Sequence, residues 1–164
     1  MENSNNMLPA VVRIKKQLSD FYNGNSWVTG NISTKVFALA EVEALIKIPG
    51  HNHTIQQLVG HITAWRNFAL QKLTGNDNYD IADESDTNWP SDSEWSTTIK
   101  QFVICHNDLI GAVEYFPAGD WNNRVPGRSY SFIYLLEGVV QHDYYHYGQI
   151  GSLLAAVKKL ELKS

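Results

Sequence analysis

The chain is poor in cysteine, in charge and in long apolar runs, and each shortage excludes a class of protein. A single cysteine, Cys105, cannot form an intrachain disulfide, so no disulfide framework holds the fold. Charged residues make up only 18% against 43% hydrophobic, which excludes disorder driven by high charge and low hydrophobicity. The 13 basic residues form no dense block and the net charge is -4, so nothing attracts the chain to phosphate backbones or anionic lipid. Every apolar run is broken by a charge, Gly or His before the roughly 18 residues that a membrane-spanning helix needs. The segment Met1 to Ala10 lacks the basic start and apolar stretch of a secretory signal, and a reducing cytoplasm is the expected location. There is no internal repeat and no low-complexity tract, and no segment alternates for long as a half-buried strand does.

What is present is helical periodicity over a length, 164 residues, that suits one domain spanning 1–164. Met7, Val11, Ile14, Leu18 and Phe21 predict a first helix over about 7–22, after a frayed 1–6. The Gly- and Asn-rich stretch Asn23 to Asn31 reads as a loop pinned by Trp27. Ser33 is a candidate cap for one short helix through Val36, Leu39, Ala40 and Leu45, stopped by Pro49-Gly50. Thr54 and Gln57 fit a capping box, and Leu58, Ile62, Trp65, Ala69 and Leu73 predict a long helix over 54–73. The acidic segment Thr74 to Ser91 reads as an exposed crossover from one end of a bundle to the other. A helix from Trp95 through Phe102, His106, Leu109 and Val113 ends at Pro117, and a loop with Pro126-Gly127 precedes a last helix over about 131–159. That helix carries Phe132, Leu135, Val139, Ile150, Leu153 and Val157 inward. The expected fold is all-α, a four-helix bundle with a long crossover and one short extra helix.

The sharpest motif is His142-Asp143-Tyr144-Tyr145-His146, whose four-residue spacing puts both imidazoles on one helical face, shared with Leu135, Val139 and Leu153. Such a pair is either two ligands of a metal site or two separately hydrogen-bonded core histidines. His61, beside Leu58 and Trp65 on the 54–73 helix, is the candidate third ligand. Three neutral imidazoles suit zinc, nickel, cobalt or ferrous iron, and leave a position open for water or substrate. The H-E-x-x-H metalloprotease reading is rejected: Asp143 is one methylene shorter than Glu, and no strand is present to bind a peptide. Asp143 then serves as a proton acceptor or ligand-orienting carboxylate, or as a solvated or structural one. Gln149 is a hydrogen-bond partner one turn beyond His146. Trp65, Tyr145, Trp121 and Arg128 are candidates to wall a pocket or grip an anionic cofactor, against plain packing or surface roles. Cys105 and His106 point about 100° apart on a helix, so they do not form a nucleophile and base, and Cys105 reads as a small hydrophobe. His51 and His53 lie in the loop before the 54–73 helix. Gly148 and Gly151 suggest close helix or ligand approach, or subunit packing.

The segments His53 to Trp65 and Gly138 to Ile150 together resemble the DinB-like (DinB/YfiT) superfamily, and the likeness extends over nearly the whole chain. The resemblance implies an up-up-down-down four-helix bundle holding a divalent metal on three histidines, which fall here on His61, His142 and His146. Thr54 and Gly60 depart from the residues many relatives carry, and neither is a ligand. The family's understood branches are thiol-dependent transferases and isomerases, with other members described as metal-dependent hydrolases. The implied function is therefore a divalent-metal enzyme, with zinc or nickel and a low-molecular-weight thiol or water, attacking a small electrophile. A homodimer is implied as well. The alternative is a non-catalytic module that binds a metal or a small molecule within the bundle.

Overall fold

The computed structural model describes residues 8–28, 30–81, 88–90 and 94–161. It is all-helical, with α1 over Pro9–Tyr22, α2 over Ile32–Val36, α3 over Glu41–Leu45, α4 over Ile55–Leu73, α5 over Trp95–Tyr115 and α6 over Phe132–Glu161. Residues 1–7 lie outside the described set, and so do the crossover residues 82–87 and 91–93. Among the described residues no helix is long and apolar enough to cross a membrane.

The local signals explain the helix ends. Pro9 opens α1, where its missing N–H costs nothing and its φ is already helical. Thr54 Oγ1 accepts the Gln57 N–H at 3.2 Å while Gln57 Oε1 accepts the Thr54 N–H at 3.0 Å, completing the capping box of α4. α5 gives way at Phe116, just before Pro117. The single short helix expected after Ser33 is instead two, α2 and α3. Asn31 rather than Ser33 caps the first of them, its Oδ1 accepting the Thr34 N–H at 3.0 Å. The loop before it is not pinned by Trp27, whose side chain is fully exposed.

Val11, Ile14, Leu18 and Phe21 of α1 are buried, as are the apolar stripes of α5 and α6. α4 is buried on most of its surface because it packs against both α5 and α6. The core extends along the bundle, with Phe68, Leu109, Trp121 and Leu136 toward one end and Phe21, Ile62, Phe102 and Ile150 toward the other.

The paired residues set the helix directions. Gln56 meets Thr98, Thr63 meets Cys105 and Arg66 meets His106, so α4 and α5 run parallel. Lys15 pairs with Glu114 and Tyr22 packs on Phe102, so α1 opposes α5. Leu58 shares a cavity with Leu153 while Trp65 lies beside His142, so α6 opposes α4. The order is thus up-down-down-up, which corrects the up-up-down-down order that the resemblance implied. The long crossover explains it: only a connection running back along the bundle can join two parallel neighbours. Pro90 marks that return. A Cβ on Gly60 of α4 would lie 3.0 Å from the Pro90 ring and 3.1 Å from its carbonyl oxygen, so the glycine lets the crossover press onto the helix. Close approach was expected instead at Gly148 and Gly151. A Cβ at Gly148 would meet nothing within 4 Å, and one at Gly151 only the Lys35 ammonium.

Candidate metal centre

His142 and His146 stand one turn apart on α6, and the antiparallel register of α4 brings His61 to them across the bundle. The His142 Nε2 lies 2.9 Å from His61 Nε2 and 3.0 Å from His146 Nε2. His61 and His146 are buried and His142 is half-buried. The other ring nitrogens show which way the lone pairs point. His61 Nδ1–H donates to the Asn88 carbonyl oxygen at 2.8 Å, and His146 Nδ1–H donates to Gln149 Oε1 at 2.7 Å. A neutral imidazole has one N–H, so these two rings present bare Nε2 lone pairs to the same point.

At most one hydrogen, on His142, is then available for two nitrogen–nitrogen contacts. A cation at the shared point satisfies all three. Nitrogens bound to zinc at about 2.0–2.1 Å lie about 2.8–3.4 Å apart for angles from a right angle to tetrahedral; the two separations at His142 sit at the short end of that range, and all three ligand atoms lie within 4.8 Å of one another. The three residues are the one group of His, Cys, Asp or Glu among the described residues arranged to hold a metal ion. The hydrogen bonds to Asn88 and Gln149 fix ring orientation and tautomer, as outer partners of metal-bound histidines do.

Burial keeps the ligands neutral. It pushes His61 down to about 4, with His146 adding repulsion, and His142 down to about 3, with His146, His61 and Arg66 contributing; His146 is lowered too. His106, buried beside Arg66, falls to about 3. Unfolding returns these imidazoles to about 6.5, so below that pH the unfolded chain binds more protons than the folded one. The metal-free protein is therefore expected to hold its stability above about pH 6.5 and to lose it progressively toward pH 3–4. Asp143, which burial raises to about 6 against the pull of Arg66, acts in the opposite sense between about 6 and 4, but it is one group against four. Urea midpoints near pH 7.5 and near pH 5 check this sign; an equal or higher midpoint in acid contradicts it.

Three features of the centre were not read from the sequence. Trp89 lies flat between His53 and His61, 3.8 Å from each ring, so the crossover roofs the first ligand. Asn88 holds His61 through its carbonyl and accepts the Trp65 indole N–H on Oδ1 at 3.0 Å. Arg66 is completely buried, with its guanidinium between the rings of Phe21 and Phe102. It donates to Asp143 Oδ2 from Nε at 3.0 Å and from Nη2 at 2.7 Å, and from Nη1 to His106 Nδ1 at 2.8 Å. An arginine on the apolar side of α4 was the available signal, since a buried charge needs a buried partner.

The other candidates are dispersed. Asp143 is fully buried, with its Oδ2 held by the Arg66 guanidinium. Gln149 accepts from His146 and donates to the Tyr145 hydroxyl at 3.2 Å. Tyr145 is exposed at the mouth of a cavity of about 520 Å³ that also holds His51, His53, Trp89 and His146. Trp65 lines a separate cavity on the His142 side. Trp121 is core, packed on Phe116, and Arg128 pairs with Asp80 above the Phe68 ring; neither lines these two cavities. Burial raises the Cys105 thiol to about 12, which suits a small apolar side chain and no nucleophile.

The sequence model of the DinB superfamily matches residues 29–150, a span that contains all three histidines. No curated protein and no solved structure gives a significant match.

Proposed function

The chain belongs to the DinB superfamily, and from that membership we propose that it is a divalent-metal enzyme that activates a thiol or a water for attack on a small electrophile. The observation that carries the reading is the convergence of the His61, His142 and His146 Nε2 lone pairs beside an open cavity. A divalent ion held there lowers the pKa of a coordinated thiol or water toward neutrality. Zinc or nickel fits three neutral imidazoles, and the ring hydrogen bonds of Asn88 and Gln149 keep those imidazoles aimed.

The chain's own residues divide the remaining work. Trp89 covers one face of His61 and shields it from bulk water. His51, His53, Tyr145, Gln149 and Ser152 give the larger cavity its polar wall, suited to a hydrophilic thiol co-substrate. A homodimer in a reducing cytoplasm completes the proposal, the cytoplasmic setting in keeping with the single, buried Cys105.

Cobalt-substituted protein titrated with glutathione tests the reading directly. A thiolate-to-cobalt charge-transfer band is expected, together with metal-dependent conjugation of an aryl halide or hydrolysis of an aryl ester. A metal-loaded protein that neither takes up thiol nor turns over either substrate would return the chain to the binding-module alternative.

A further inference from the structure

The histidine centre is flanked by two cavities of unlike character. The larger, on the His146 side, mixes polar side chains with Leu58, Trp89 and Leu153; the other, on the His142 side, is almost wholly apolar and holds about 320 Å³ between Trp65, Tyr130, Tyr134, Leu135, Val139 and His142. We propose that this second cavity is a binding site for an uncharged, flat aromatic group, the apolar arm of the electrophilic substrate. The assignment of that group to a substrate rests on the proposed function above; the site itself does not.

Four observations carry it. Among the described residues no charged side chain lines the cavity, so an ionic group entering it would lose its hydration without compensation from them. The indole N–H of Trp65 is already committed to Asn88 Oδ1, which leaves the carbon face of the ring as wall. His142 belongs both to this cavity and to the three-histidine cluster, with its ring centroid 5.7 Å from that of Trp65. A group seated here is therefore one imidazole away from the reacting centre.

The fourth observation is Gly138. It sits inside α6, where glycine costs about 1 kcal/mol relative to alanine, yet a Cβ there would meet nothing within 4 Å. No neighbouring helix requires the missing side chain. The space it leaves is part of the cavity, and the volume lies in the range that takes a small ring system.

The test is equilibrium binding of 2-naphthol, followed by NMR titration, to metal-loaded and to chelator-treated protein. Wild type is expected to bind in both states. Gly138→Leu, whose Cβ meets no described neighbour and whose branch reaches into the cavity, is expected to weaken binding by at least about tenfold in both states, with metal content unchanged and the melting temperature not lowered. Gly138→Ala retains binding. Tyr134→Ala, at an exposed rim position, weakens it independently of any effect of the leucine on folding. Equal affinity of wild type and Gly138→Leu, or no binding by wild type, overturns the site. Absence of metal in the loaded samples would count against the proposed enzyme alone, because the chelator-treated arm reads the cavity by itself.

Discussion

Replacing His142 with alanine is expected to abolish stoichiometric metal binding, taking the protein from about one ion per chain to essentially none after dialysis. His142 is the shared vertex of the centre: its Nε2 is within 3.0 Å of both other ligand nitrogens, so its loss leaves two imidazoles with no third donor between them. The partners of the ligand rings should have a smaller effect. Gln149→Ala frees the His146 ring from its acceptor and is expected to weaken affinity by about 10–100-fold, the usual consequence of losing such a hydrogen bond. His106→Gln is the matched control, because His106 faces Arg66 and lies outside the cluster. Elemental analysis of untagged protein, followed by competition with a chromophoric chelator, separates the three variants. Unchanged stoichiometry in His142→Ala would remove the metal centre from this chain.

Arg66→Met is expected to be the most destabilising single substitution, costing about 3–5 kcal/mol. The arginine and Asp143 are both fully buried, and removing the cation leaves a carboxylate stranded among apolar side chains. That carboxylate already has one oxygen, Oδ1, without a hydrogen-bond partner, so little remains to stabilise its charge. Arg66→Lys should recover little, since an ammonium cannot reach Asp143 twice and His106 once from the same position. Converting the pair together, as Arg66→Met with Asp143→Leu, is expected to restore much of the loss, because a well-packed apolar pair often matches a buried ion pair. Urea denaturation of wild type, Arg66→Met, Asp143→Leu and the double variant gives the cycle. A cost below about 1 kcal/mol for Arg66→Met would mean that the pair is not buried as described.

The same pair is only half legible along the chain. Asp143 was visible as part of the His142–His146 motif, but its partner lies 77 residues earlier and is joined to it by a hydrogen bond across the bundle. Periodicity reports which side of a helix is apolar; it does not report which polar residue on one helix will face which on another. Trp27 failed for the related reason that a large aromatic in a loop carries no periodic context, and it is exposed. Trp89 lies in a segment whose acidic, polar composition predicts exposure, yet it is stacked on two histidines.

Much of the molecule is nonetheless local chemistry. The long helices follow from three-and-four spacing of apolar residues, the start of α4 from Thr54 and Gln57, and the His142–His146 pair from the 3.6-residue turn. Each depends on residues within a few positions of one another, so the order of amino acids suffices to specify it. The third ligand, the tautomers, the up-down-down-up order and the two unlike cavities depend on contacts between segments tens of residues apart. The register of α4 against α6 and the return of the crossover over His61 are set only when the whole core packs, because the burial of many side chains at once, and no single local preference, decides them.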